Sequence, residues 1–111
     1  MFVPVERRRN PRVVVDVPVT LRYKGRFIPA VTKDISVSGL SVLTNDPAIS
    51  NEGAVEVVAD LSYQLKDVAL TGTIVRVTSG REKTIAIRFT NPKSPGFFRL
   101  EEFVKNRQQQ V

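Results

Sequence analysis

Residues 13–23 read VVVDVPVTLRY, and every odd position in the run is apolar. Val13, Val15, Val17, Val19, Leu21 and Tyr23 share one phase, while Asp16, Pro18, Thr20 and Arg22 hold most of the other. An extended chain sends successive side chains to opposite faces, so this period predicts a strand with one buried face. A helix would scatter the same residues around its axis. Pro18 sits on the polar phase and lacks an N–H, which predicts an edge position or a bulge there.

The pattern repeats along the chain. A turn at 24–26 precedes a second strand over 27–35, which also carries a proline, Pro29. A short strand over 40–44 ends at Asn45-Asp46-Pro47. Residues 53–61 alternate again, with Val55, Val57, Ala59 and Leu61 on one face. A turn at 62–66 leads to a long strand over 68–78, in which Gly72 marks a bulge or bend. A hairpin turn at 79–81 leads to TIAIRFT at 84–90, with Ile85, Ile87 and Phe89 facing inward. About six strands with short turns predict an all-β domain, a six-stranded antiparallel β-barrel or a sandwich.

The end of the chain changes period. Ser94 suits a helix N-cap and Pro95 the first helical position. Phe97, Leu100 and Val104 follow at helical spacing beside Phe103, predicting a short C-terminal helix packed against the barrel. One domain is expected from 111 residues. Its parts are a flexible arginine-rich segment over 1–12, the barrel with its helix over 13–107, and a frayed tail over 108–111.

Composition removes whole classes of chemistry. The sequence has no histidine and no cysteine, so a Ser-His-Asp triad, a Cys-His pair and a His- or Cys-ligated zinc site are excluded. Glu101 and Glu102 are adjacent carboxylates, but neighbours on a helix face different ways. No catalytic residue, no metal site and no cofactor are expected. The opening MFVPVE lacks an apolar core of signal-peptide length, and no run approaches the roughly 20 apolar residues of a membrane span. The expectation is a soluble, cytoplasmic protein without membrane insertion.

A net charge of +6 favours an anionic partner, whether nucleic acid, nucleotide or membrane surface. The charge is concentrated in ERRRNPR at 6–12, just before the first strand. Arginine presents a planar fork that matches paired acceptors, such as guanine O6 and N7, and it also pairs with phosphate. The second unusual stretch is DISVSG at 34–39. Asp34 is an acceptor that suits the N1–H and N2–H₂ donors of guanine, or that could orient an arginine. Ser36 offers a hydroxyl to a phosphate oxygen. Gly39 permits positive φ and close approach of a ligand to the backbone. Together the stretches offer complementary groups for a guanine nucleotide with few exposed phosphates.

The two stretches, RxxxR at 8–12 and DxSxxG at 34–39 with a strand-turn-strand unit between them, resemble the PilZ domain family of bacterial cyclic di-GMP receptors. The resemblance covers nearly the whole chain, with Ala86 standing where the family often has glycine. It implies that Arg8 and Arg12 grip guanine edges and phosphates, while Asp34, Ser36 and Gly39 hold a base and the phosphate ring from the barrel side. It also implies that Arg7, directly before RxxxR, goes with two stacked cyclic di-GMP molecules per chain. Arg9 is supporting charge. An unknown downstream protein in motility, adhesion or exopolysaccharide synthesis completes the picture.

Two other classes remain open at this point. A basic β-barrel that binds RNA or single-stranded nucleic acid would need aromatic stacking platforms in a basic groove. The eight aromatics fall mostly on core phases or in the helix, so nucleic acid is the less favoured partner. A PilZ-like adaptor that binds only protein would not need its arginines.

Overall fold

A computed structural model describes residues 13–46, 49, 53–63, 65–91 and 93–108. The described residues form seven strands and one helix: β1 (Val13–Val14), β2 (Pro18–Tyr23), β3 (Arg26–Ile35), β4 (Gly39–Thr44), β5 (Ala54–Ala59), β6 (Val68–Thr78), β7 (Lys83–Phe89) and α1 (Pro95–Gln108). All strand pairings are antiparallel. Strands β2 to β7 run in the order β3-β2-β5-β6-β7-β4, and β4 pairs back onto β3. The result is a closed six-stranded barrel, one of the two architectures that the repeated period 2 allows. Closure leaves no long barrel edge unpaired.

The first strand is broken where an unbroken one is expected over 13–23. Val13 stands opposite Ile35, but Pro18 stands opposite Val31. Five steps along one chain match four along the other, so one residue is extra. Pro18 cannot donate to a ladder, and β1 and β2 are separate pieces along the same edge of β3. Two bonds span the break: Val15 N–H donates to the Lys33 carbonyl at 3.3 Å, and Thr32 N–H donates to the Val17 carbonyl at 2.8 Å. The apolar phase survives it, because Val15, Val17, Val19, Leu21 and Tyr23 are all buried.

The core fills from the alternating positions. Leu21, Ile28, Val42, Val57, Val68 and Ile85 are fully enclosed, and Ile35, Leu40, Leu70 and Ile87 join them. Each such side chain contributes about 1.5–3 kcal/mol relative to exposure. Gly72 marks a close approach rather than a bulge. A Cβ there would lie 2.7 Å from the Arg88 carbonyl oxygen and from Ile87 Cγ2. The irregularity of β6 falls at Val75, between Ile74 and Arg76.

The helix starts where the sequence predicts. Ser94 Oγ accepts the Phe97 N–H at 3.2 Å, satisfying one of the free donors of the first turn. Leu100, Phe103 and Val104 are buried against the barrel, with Phe97 partly covered. Lys105 and Arg107 in the last turn oppose the negative end of the helix. The helix runs through Gln108, one residue into the stretch expected to fray. No described helix is long and apolar enough to cross a membrane.

Gly96 sets how close the helix sits. A Cβ on Gly96 would strike the carbonyl oxygen of Ala69 on β6. Gly96→Ala is therefore expected to lift the helix start and cost about 1–3 kcal/mol, read as a lower midpoint in urea. Ser94→Ala is expected to cost about 1 kcal/mol in the same assay by removing the cap.

Candidate functional site

Strand β3 keeps strict alternation from Ile28 to Thr32, with positions 28, 30 and 32 buried. Continued alternation would send Asp34 into the core. It does not, because Lys33 is an extra residue against β4. Thr32 pairs with Val42 and Asp34 with Ser41, two steps against one. This bulge turns Asp34 outward and Ile35 inward. A carboxylate that would have been costly to bury is thereby presented on the barrel surface.

The same device acts on β6. Ile74 is buried and pairs with Ile87, while Arg76 pairs with Ala86, leaving Val75 as the extra residue. The phase shift keeps Arg76 on the exposed side. The two bulges meet in one lateral row. Asp34 pairs with Ser41, Ser41 with Ala86, and Ala86 with Arg76. Three strand spacings separate the ends of this row, about 14 Å. Between them lie only the short side chains of Ser41 and Ala86. The outer face thus has a low floor, with a carboxylate at one side and a guanidinium at the other.

The DISVSG turn closes one end of this face. Ser36 N–H donates to the Gly39 carbonyl at 2.8 Å. Ser36 Oγ is wholly buried, 0% exposed. It donates to the Gly39 carbonyl at 3.3 Å, accepts the Ser38 N–H at 3.2 Å, and lies 2.9 Å from Ser38 Oγ. These bonds occupy the hydroxyl inside the turn. Ser38 is the exposed serine of the pair. The Ser38 carbonyl accepts the Phe89 N–H at 2.9 Å, which pins the turn to the end of β7.

Gly39 does not owe its place to positive φ. Its φ is not among the positive values of the chain. A Cβ would instead collide with the Ile87 carbonyl oxygen of β7. Gly39 stands opposite Arg88, an exposed cation that the structure brings beside the motif. Arg88 in turn stands opposite Thr73 on β6.

Arg7, Arg8 and Arg12 lie outside the described residues, so the structure gives no position for them. It does fix where that segment is rooted. Arg12 is bonded to Val13, which pairs with Ile35, and Val14 pairs with Asp34. The arginine run therefore joins the barrel beside the carboxylate of the second motif. Among the candidate residues, Asp34, Ser36 and Gly39 are brought to one corner. Arg76, Arg88, Ser41 and Ala86 join them from distant parts of the chain. On sequence grounds Arg76 and Arg88 read as surface charge. Their place depends on cross-strand register, which has no local signature.

The arrangement suits a flat anionic ligand with both donors and acceptors: guanidinium groups for phosphate and ring faces, and a carboxylate for amide-type donors.

A family model for the PilZ domain matches residues 6–106. No curated protein sequence matches the chain. Among solved structures, the PilZ domain with c-di-GMP of YcgR from Escherichia coli is similar with a TM-score of 0.78 at 13% identity, over 95% of this chain and 94% of that one. The Bacillus subtilis inhibitor of motility (MotI/DgrA) gives a TM-score of 0.79 at 13% identity, over 96% of this chain and 53% of that one. The MrkH–c-di-GMP complex of K. pneumonia gives 0.75 at 20% identity, over 96% and 54%. The chain spans about half the length of the latter two. At such identities these likenesses concern the fold. The family model, in contrast, runs through RxxxR, DxSxxG, every strand of the barrel and most of the helix, and by that match the chain belongs to the PilZ domain family.

Proposed function

We propose that this protein is a cytoplasmic receptor for cyclic di-GMP that binds the dinucleotide on the outer face of β3, β4, β7 and β6. The observation that carries this reading is the pair of bulges that turns Asp34 and Arg76 outward in one row, at the root of the arginine segment. Family membership and the c-di-GMP complexes among its structural neighbours support the choice of ligand.

In this account Asp34 accepts from the N1–H and N2–H₂ donors of a guanine. Arg8 and Arg12 close from the segment before β1 onto guanine edges and phosphates. Arg7 serves a second, stacked dinucleotide, giving two per chain. Arg76 and Arg88 offer guanidinium groups from the far side of the floor, and Ala86 keeps that floor low. Ser36 and Gly39 act from below: the buried hydroxyl holds the turn, and the glycine lets β7 support it. Closure of the arginine segment changes the surface shown to a downstream protein, which acts in motility, adhesion or exopolysaccharide synthesis. The ligand moves the equilibrium by its preference for the closed form. No step alters the dinucleotide, and no hydrolysis is expected on long incubation.

Calorimetric titration at moderate salt tests the reading. Wild-type protein is expected to saturate near two ligands per chain. Arg8→Ala, Arg12→Ala and Asp34→Ala are each expected to weaken binding about tenfold or more, since a charge-assisted hydrogen bond is worth roughly 1.5–3 kcal/mol. Arg7→Ala is expected to reduce the stoichiometry to one. Absence of heat from the wild type would overturn the receptor reading, and binding of short RNA in its place would favour the nucleic-acid alternative.

Denaturation separates supporting residues from contacting ones. Ser36→Ala is expected to lower stability by about 1–3 kcal/mol, because it strips three partners of a buried hydroxyl. Arg76→Ala, at an exposed position, is expected to stay within about 0.5 kcal/mol of wild type.

A further inference from the structure

Two hydroxyls meet in the turn between β3 and β4, and their protons can be arranged in two ways. Ser36 Oγ and Ser38 Oγ lie 2.9 Å apart, and either can be the donor. Ser36 is wholly buried, whereas Ser38 is exposed. A serine hydroxyl has one proton to give and two lone pairs with which to accept. One lone pair of Ser36 Oγ takes the Ser38 N–H at 3.2 Å. Its proton then has two destinations, the Gly39 carbonyl at 3.3 Å or Ser38 Oγ at 2.9 Å.

The choice decides what the turn shows to solvent. If Ser36 donates to the Gly39 carbonyl, the Ser38 proton turns inward to Ser36, and Ser38 presents only lone pairs outward. If Ser36 donates to Ser38, the Ser38 proton is released to point outward as a donor. The second arrangement leaves none of these groups unpaired, because the Gly39 carbonyl keeps the Ser36 N–H at 2.8 Å in both. It also uses the shorter of the two oxygen–oxygen contacts, and 3.3 Å lies beyond the usual range of an O–H···O bond. A hydroxyl that accepts one hydrogen bond is a stronger donor in the next, so the buried Ser36 reinforces Ser38.

The surroundings select an anion as the acceptor. Ser38 is followed by Gly39, which stands opposite the exposed Arg88 on β7 and adds no side chain of its own. The Ser38 backbone is held on both sides: its carbonyl takes the Phe89 N–H at 2.9 Å, and its N–H donates to Ser36 Oγ. A guanidinium supplies charge from a long stem, whereas this hydroxyl supplies one donor at a set position. Ser36 has no such access, since it is 0% exposed.

We propose that Ser38, not Ser36, is the hydroxyl of this turn that binds a non-bridging phosphodiester oxygen of the dinucleotide, with Ser36 as the buried relay that frees its proton. This role rests on the receptor reading of the β3–β4–β7–β6 face and names the group that the turn contributes there. On binding, the Ser36 hydroxyl rotates from the Gly39 carbonyl to Ser38 Oγ, and the Ser38 hydroxyl rotates outward to the phosphate. No proton changes its oxygen.

Calorimetric titration of the full chain with cyclic di-GMP tests the assignment. Ser38→Ala is expected to weaken binding about tenfold, the loss of one hydrogen bond to a charged acceptor. Its urea midpoint is expected to match wild type, because the Ser38 N–H bond and the Ser36 bond to Gly39 need no hydroxyl at position 38. Ser38→Thr keeps the hydroxyl at an exposed position and is expected to bind within about threefold of wild type. The two symmetric bis-phosphorothioate stereoisomers of cyclic di-GMP, which carry sulfur at opposite non-bridging positions, read the contact itself. Wild type is expected to prefer the isomer that leaves oxygen toward Ser38, and Ser38→Ala to narrow that preference severalfold. Wild-type protein that binds no cyclic di-GMP would overturn the receptor reading and this role with it. Wild-type binding that Ser38→Ala leaves unchanged would overturn the role of Ser38 alone, as would a stereoisomer preference undiminished in Ser38→Ala.

Discussion

A six-stranded barrel has to close, and this one closes through β4, which must pair with β3 on one side and β7 on the other. One close approach in that closure is at Gly39, the first residue of β4, where the Ile87 carbonyl of β7 occupies the space a Cβ would need. The approach is made possible by the turn before it. Ser36 folds its hydroxyl under the chain, and Ser38 takes the Phe89 N–H from the end of β7. Inward alternation of the other strands then encloses a core with Leu21, Val42, Val57 and Ile85 at its centre. The residues that close the barrel are therefore also the residues that define one end of the candidate ligand face.

That double duty explains why the site can be firm without a deep pocket. A flat ligand on an open surface gains from groups whose positions are already set. Asp34 and Arg76 owe their outward direction to extra residues at Lys33 and Val75, each of which breaks the ladder locally. Lost ladder bonds cost stability, so two bulges feeding a single row are more readily understood as part of a site than as accidents of packing. In the proposed complex, the arginines that precede β1 in sequence add further guanidinium groups, and the pairing of Val14 with Asp34 puts the start of β1 beside the barrel's carboxylate.

Much of the barrel is legible in the sequence because period 2 is a local property. The six barrel strands follow from it, and the helix follows from its own helical spacing and start signal, down to Ser94 as the cap. Pro18 marks an irregularity because a missing N–H is visible in the residue type. The bulges at Lys33 and Val75 are not legible, since neither residue has a conformational signature of its own. Gly72 attracts attention for the opposite reason. Glycine signals a special position without saying whether the cause is a bulge or a close neighbour, and here it is a neighbour on β7. Of the site, Asp34, Ser36 and Gly39 are legible as a motif, although burial gives the Ser36 hydroxyl a place beneath the turn. Arg76 and Arg88 are hidden because they reach the motif only through cross-strand register.

The central claim is that the ligand lies on the row from Asp34 to Arg76, beside the turn that closes the barrel. Backbone amide NMR during addition of cyclic di-GMP tests this most directly. The account predicts the largest shifts along residues 34–39 and at Ser41, Ala86, Arg76 and Arg88, with small shifts at Ala69 under the start of the helix. Saturable binding with its largest shifts elsewhere, for example at Thr20 and Val58 on the opposite wall, would contradict it.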